Sequence, residues 1–316
     1  MYNNSVLFLD SCHPHLAQSL EGKGITCHHN YTATKDEIIK LLPHYTAIVV
    51  RSRFKLDAEF LAQCTTIKCI ARVGAGMENI DVAVATQLGI QCLHAPEGNR
   101  TAVAEQCIGM LLALFNNINK ADSQVRNGIW IREGNRGVEL EGKTVGIIGM
   151  GNVGTALAQR LQGFNCEVLV HDKYKTNIGT SYCTEVSLQV LQAKADVISI
   201  HLPYNTETHY YINEPFINAC ANNVYIINTA RGKCLNTADL VQAMQAGKVL
   251  GACLDVLEYE TTSFETLDNT TLPTAWQYLI QSNNTILTPH IAGWTHESNY
   301  KMANVLATKI CSVLGV

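Results

Sequence analysis

The stretch TVGIIGMGNVGTALAQRLQGF, residues 144–164, constrains this chain more than any other. It reads as an apolar strand, a glycine turn and then a helix. Gly149, Gly151 and Gly154 take the GxGxxG spacing. In that context the first glycine allows the tight turn, the second lets the backbone approach a pyrophosphate, and the third lets helix and strand pack closely. The free N–H groups and the positive dipole end of the helix then face the phosphates. The next strand-like run, EVLVHD, ends at Asp172, close to the offset at which a carboxylate accepts hydrogen bonds from the adenosine ribose. A carboxylate there repels a 2′-phosphate, so NAD is expected over NADP. Lys173 and Lys175 follow directly and pull the other way.

With 316 residues, two domains are the natural expectation. Before the glycine turn, SVLFLD, GITCHH, TAIVVRSR, TIKCIARVG and IQCLHAP read as strands of a parallel sheet. Helix-like segments such as TKDEIIKLLPHY and DAEFLAQC lie between them. A long pattern from Ala102 to Asn119 and on to Gly128, apolar on more than one face, predicts one long helix buried between domains or subunits. From Lys143 the alternation restarts, with TVGIIG, EVLVHD, DVISIHLP, NVYIINTA, LGACLDV and TILTPHI as strands and a helix from Glu297 to the end. The fold class is α/β, with two doubly wound parallel-sheet domains.

A formal net charge of −4 without a basic run gives no nucleic-acid footprint. CIGMLLALF is about half of the ~20 apolar residues a bilayer span needs, and the N-terminus lacks a signal-peptide pattern, so no membrane partner is expected. The 12 cysteines are scattered in apolar runs with no CxxC. They read as small buried hydrophobes in a reducing cytoplasm, with neither metal nor disulfides expected.

Three later segments each end a strand with a reactive residue. NVYIINTARG places Arg231, LGACLDV leads into a loop carrying Glu258, Glu260 and Glu265, and TILTPHIAG places His290. Ligands of open α/β sheets bind at the carboxyl ends of strands, so these residues are expected to converge. Arginine can hold a carboxylate and polarise a 2-oxo group. Histidine can protonate the oxyanion as hydride arrives. A carboxylate behind the histidine fixes its tautomer. Spacing alone leaves open which glutamate serves.

The segments VVRSRFKL, ARVGAGMENID, APEGNRTAVAE, VGIIGMGNVG, INTARG, GACLDV and TPHIAG, in this order, resemble the D-isomer-specific 2-hydroxyacid dehydrogenases over nearly the whole chain. The likeness is greatest to their phosphoglycerate dehydrogenase branch. It implies a discontinuous flavodoxin-like substrate domain, residues 1–97 and 288–316, and an NAD-binding Rossmann domain, residues 98–287. It selects Glu260, which falls at the family's position after Asp255, with Arg231 and His290 as its catalytic partners. Thr261 stands where the family has proline, so a less fixed loop is expected.

The same likeness implies cofactor contacts at Asn152, Val153, His201, Leu202, Pro203, Thr208, Thr229, Ala230, Asp255 and Gly293. For substrate it implies the backbone amides of Ala75 and Gly76, and Asn99. Arg51, Arg53 and Lys55 alternate at a strand end, on one side if extended, and suit a phosphate. The expected substrate is 3-phospho-D-glycerate, oxidised in the entry into serine synthesis. A glyoxylate or hydroxypyruvate reductase is the runner-up. The fold also resembles NAD-sensing corepressors, which carry tails that this chain is not expected to have. A homodimer through Ala102–Asn119 and the arm to Trp130 is expected, as is the absence of serine feedback through a C-terminal regulatory domain.

Overall fold

A computed structural model describes residues 4–260 and 272–316. The first compact unit is the chain up to Arg100 together with Trp294–Val316, and the second runs from Thr101 to Gly293. The divisions thus fall at 100/101 and 293/294, against the 97/98 and 287/288 expected from sequence.

In the first unit, β1 (Ser5–Phe8), β2 (Thr26–His29), β3 (Ala47–Val50), β4 (Cys69–Arg72) and β5 (Gln91–Leu93) form a parallel sheet ordered β2-β1-β3-β4-β5. β1 and β3 are buried along their whole length, whereas β2, with the polar sequence TCHH, is a mostly exposed edge. Central parallel strands are covered on both faces, which is why they read as continuous apolar runs. Val6, Phe8, Val49 and Ala71 pack with Met302, Leu306 and Ile310 of the last helix, His296–Leu314. Leu7, Ile48, Val50 and Ile70 pack on the other face with Ile38, Phe60 and Leu61.

In the second unit, β6 (Thr144–Ile148), β7 (Glu167–His171), β8 (Thr184–Glu185), β9 (Val197–Ile200), β10 (Val224–Asn228), β11 (Val249–Leu254) and β12 (Thr285–Leu287) form a sheet ordered β12-β11-β10-β9-β6-β7-β8. Every pairing is parallel. The chain reverses its direction of travel across the sheet between β6 and β9, the switch point at which doubly wound sheets open a crevice. β8 has only two residues and carries no periodicity from which sequence could find it.

Two expectations need correction. The single long helix is two. Pro96–Phe115 ends where Asn117 adopts a left-handed backbone (φ 52°), and Ile118–Arg126 departs at 60°. Asparagine tolerates that conformation, and its amide reaches the Arg136 carbonyl, which holds the corner. The first of these helices buries Val103, Ala104, Cys107, Met110 and Leu111 in the core of the second unit with Val145, Ile147 and Ile227. The other correction concerns TAIVVRSR. The strand stops at Val50 and residues 51–54 form a bend, so Arg51, Arg53 and Lys55 are not alternate residues of an extended run.

Among the described residues, no single helix is long and apolar enough to cross a membrane. The cysteines are free thiols, with Cys69, Cys107, Cys234 and Cys253 buried. Desolvation pushes the Cys107 thiol up to about 12, which suits a packing role.

Candidate active site

Because the second sheet is wholly parallel, the segments after β6, β7, β9, β10, β11 and β12 all leave it at one end. Gly149 follows β6 with φ +96°, and a Cβ there would lie 2.6 Å from the His201 carbonyl oxygen. A Cβ at Gly154 would lie 2.1 Å from the Gly149 oxygen, so helix and turn touch backbone to backbone. Gly151, by contrast, faces open space. It precedes the helix Asn152–Leu161 and gives it no side-chain cap, unlike Ser187 or Asn236 at theirs. The first-turn amides, with Asn152 and Val153, are therefore left for an anion.

Asp172 follows β7. Its Oδ2 accepts the Met150 N–H (2.8 Å), and its Oδ1 accepts those of Tyr174 and Lys175 (3.0 and 3.1 Å). Burial works to raise this carboxyl, but those amides and the Lys175 ammonium outweigh it and hold the group below the usual carboxylate range. An ionised acceptor here fits adenosine ribose hydroxyls. The two neighbouring lysines are turned to other partners: Lys175 Nζ donates to the Met150 carbonyl, and Lys173 pairs with Glu207. Glycine turn, bare helix start and carboxylate together fit a dinucleotide without a 2′-phosphate.

Other residues expected at the cofactor have local partners. His201 Nε2 pairs with the buried Ser199 hydroxyl at 2.8 Å, and desolvation lowers the ring to about 4, so it is neutral at ordinary pH. Leu202 and Pro203 follow it into a turn closed by Thr208, whose hydroxyl donates to the Pro203 carbonyl (2.6 Å) and accepts the Asn205 N–H (2.8 Å). The Thr229 hydroxyl lies 3.2 Å from Cys107 Sγ. The Ala230 N–H and the Arg231 carbonyl are both held by the Asn228 side chain (3.1 and 3.0 Å), so a fully buried asparagine shapes the turn that presents Arg231.

The loop after β11 separates the glutamates. Glu260 Oε2 lies 2.7 Å from His290 Nδ1, and its Oε1 accepts the Leu257 N–H at 2.5 Å. Glu258 instead accepts the Thr237 N–H at the start of the helix Thr237–Gln245 (3.3 Å) and takes the Tyr210 hydroxyl, whose pKa it raises to about 12. Glu265 and Thr261 lie outside the described residues. The loop carrying Glu260 rests on the arginine turn: a Cβ at Gly232 would lie 2.0 Å from the Leu257 carbonyl carbon. Only glycine admits that approach.

Asp255 is buried and organises the turn around His290. Its Oδ1 accepts the Thr288 hydroxyl (2.5 Å) and the Ile291 N–H (2.9 Å), its Oδ2 the Ala292 N–H (2.9 Å), and its carbonyl the His290 N–H (2.8 Å). His290 is held at φ +55°, a left-handed backbone uncommon for histidine, which those bonds stabilise. Gly293 closes the segment. The likeness to the family implies a cofactor contact for Asp255 but not this bracing. The aspartate's place at the end of the strand-like run LGACLDV is the signal the sequence carries.

The first unit presents a different set. After β4, the amides of Ala75 and Gly76 lie in a turn that Ala95 N–H and His94 Nδ1 grip from behind, through the Gly74 and Ala75 carbonyls (2.9 and 2.7 Å). Asn99 lies in the first turn of Pro96–Phe115, and its Oδ1 is buried without a partner among the described residues. The basic bend is organised by Asp10, whose Oδ2 accepts the N–H groups of Arg51, Ser52 and Arg53. Arg53 turns its guanidinium to the carbonyls of Leu9, Asn30 and Ala33. The Arg51 guanidinium lies over the Trp294 ring, 4.2 Å from its centroid, and Lys55 is exposed. The three cations expected to act alike therefore differ, and Arg53 braces the backbone.

Known proteins resemble this chain over most of its length. The model of the D-isomer specific 2-hydroxyacid dehydrogenase NAD binding domain matches residues 108–292. The D-3-phosphoglycerate dehydrogenase of Archaeoglobus fulgidus is 37% identical over 285 residues, 89% of this chain and 51% of that protein, so the chain spans about half that relative's length. The hydroxypyruvate reductase of Thermotoga maritima is 34% identical over 284 residues, 89% of each chain. The crystal structure of D-lactate dehydrogenase from Aquifex aeolicus, complexed with NAD and lactic acid, is similar with a TM-score of 0.82 and 29% identity, over 99% of this chain and 96% of that one. The chain belongs to the D-isomer specific 2-hydroxyacid dehydrogenase family and carries its NAD-binding domain.

Proposed function

We propose that the protein interconverts a D-2-hydroxy acid and its 2-oxo acid with NAD, and that Arg231, Glu260 and His290 carry the reaction. The observation that supports this most is the Glu260–His290 pair, 2.7 Å apart on a turn held by Asp255. With Nδ1 facing a carboxylate, Nδ1 carries a proton and Nε2 is the atom left to exchange one with substrate. In reduction, Nε2 of the imidazolium gives its proton to the 2-oxo oxygen, and Glu260 faces the ring's charge. Arg231 holds the 2-oxo acid by its planar fork and polarises the carbonyl. Bound NADH supplies the hydride. The amides of Ala75 and Gly76 and the side chain of Asn99 are assigned to the substrate.

For the substrate, we propose 3-phospho-D-glycerate. The relative in Archaeoglobus fulgidus and the cations Arg51 and Lys55 support this reading. One observation favours a second. Arg53 is engaged by three main-chain carbonyls, which weakens a phosphate site and suits hydroxypyruvate or glyoxylate, in keeping with the relative in Thermotoga maritima. The deciding experiment is NADH oxidation with 3-phosphohydroxypyruvate, hydroxypyruvate and glyoxylate. A kcat/KM advantage of about a hundredfold for the phosphorylated acid, ~2.7 kcal/mol of transition-state binding, is expected. Equal or better use of the other acids would replace the first reading with the second.

A two-fold dimer belongs to the same proposal, but through the segment 118–131 rather than through Ala102–Asn119, whose apolar side chains from Val103 to Phe115 are largely buried in the core of the second unit. Ile118, Val125, Ile129, Ile131 and above all Trp130, 79% exposed, leave an apolar strip on the second unit. A monomer by sedimentation at micromolar concentration would overturn it.

A further inference from the structure

We infer that His94 is a positioning residue that aims the backbone amides of Ala75 and Gly76 at the carboxylate of the substrate. This rests on the reading that a 2-oxo acid is the substrate and that those amides receive it.

A trans peptide points its C=O and its N–H in opposite directions, and the described chain has no cis bond. Fixing the carbonyl of one residue therefore fixes the amide of the next. The Ala95 N–H holds the Gly74 carbonyl at 2.9 Å, which turns the Ala75 N–H the other way. His94 Nδ1 holds the Ala75 carbonyl at 2.7 Å, which turns the Gly76 N–H the same way. Two adjacent residues thus orient two adjacent amides. Consecutive N–H groups set in this manner form an anion-binding nest. Neither amide has another acceptor among the described residues.

The tautomer follows from the partner. A carbonyl oxygen only accepts, so Nδ1 carries the proton. His94 is itself held. Lys309 of the last helix donates to the His94 carbonyl at 2.8 Å and to both oxygens of Glu97 at 2.9 and 3.1 Å. A line of contacts therefore runs from the last helix through His94 to the peptide that bears the Gly76 amide. Without the His94 donor, the 75–76 peptide is free to rotate and turn its carbonyl oxygen toward an incoming carboxylate, which repels it.

The test compares His94→Phe, which keeps the ring's bulk and loses the donor, with His94→Asn, which keeps a donor. KM and kcat are measured for whichever of 3-phosphohydroxypyruvate, hydroxypyruvate and glyoxylate the wild type reduces fastest. NADH Kd and the inhibition constant of oxalate, a carboxylate probe, are measured alongside. The expected result is a KM and an oxalate constant raised about 30-fold in His94→Phe, the loss of one hydrogen bond to a charged group. kcat changes less than fivefold, NADH Kd stays within twofold, and His94→Asn returns KM to within threefold of wild type. A merely structural role would move kcat, KM and NADH binding together in both variants and would overturn the assignment. So would a KM that changes in neither. A wild type that reduces none of the acids would overturn the functional reading and the assignment with it. A wild type that turns over, with an unaltered His94→Phe, overturns the assignment alone.

Discussion

The same device occurs in both units with opposite results. In the first, Asp10, just past β1, accepts the amides of the bend that follows the neighbouring strand β3. In the second, Asp255, just past β11, accepts the amides of the turn that follows the neighbouring strand β12. Each carboxylate fixes a chain exit at the end of a parallel sheet, where backbone N–H groups lack strand partners. Around Asp255, the gripped turn hands its titratable side chain, His290, to Glu260. Around Asp10, the gripped bend folds its arginine back onto main-chain carbonyls. A charged residue after a strand is thus as able to brace the fold as to meet a ligand, and what decides is the acceptors within its reach.

Substitutions at the two sites should behave differently. His290→Ala is expected to lower kcat about a thousandfold, the scale of lost general acid–base catalysis, with NADH Kd unchanged; a drop below tenfold would remove the histidine from the chemistry. Asp255→Asn places an amide NH2 against an N–H that needs an acceptor, so it should cost about 1–3 kcal/mol in stability and lower kcat as His290 loses its hold. Asp10→Asn should cost a similar stability, measured by urea unfolding, while kcat stays near wild type. If the two variants lose kcat alike, the two regions are not functionally different.

Smaller effects sharpen the picture within the second unit. Glu260→Gln should lower kcat/KM tenfold or more, roughly 1.4 kcal/mol, while Glu258→Gln should lower thermal stability and leave kcat nearly unchanged. Equal kinetic effects would show that the loop's two glutamates act together. Desolvation holds the folded His201 at about 4, below its ordinary value near 6.5, so the unfolded chain binds the extra proton. Its contribution to stability is complete above about pH 6.5 and is lost as pH falls toward 4, on the order of 3 kcal/mol in all. His201→Gln should flatten the stability profile across that window, and an unchanged slope would show the ring is not desolvated.

The glycine turn was legible from sequence because its requirements are local. Gly149, Gly151 and Gly154 stand within six residues, and their backbone demands do not depend on the rest of the chain. The alternation of apolar runs with helical segments likewise gave both sheets, since a parallel strand must be apolar on two faces. What escaped were features set by contacts distant in sequence. Asn117 breaks a pattern whose apolar spacing runs on through it. Asp10 and the Leu9, Asn30 and Ala33 carbonyls decide the fate of Arg53 from positions that no motif links to it. Asn228 and His94 look ordinary in sequence because their work is done on neighbouring carbonyls and amides.

The family, the two sheets, the glycine turn and the candidate reactive residues can be read along the chain, because hydrophobic period and short-range backbone requirements are written locally. The sequence could not separate Glu260 from Glu258 by spacing, since two residues apart share a face of any extended run. The likeness to the family points to Glu260, and the folded chain gives the two glutamates different partners. Folding set Glu260 against a histidine that comes thirty residues later, and Glu258 against the start of a helix that comes before it. It likewise turned Arg53 inward, because a guanidinium with five donors goes where buried carbonyls converge, and only the folded chain brings them together.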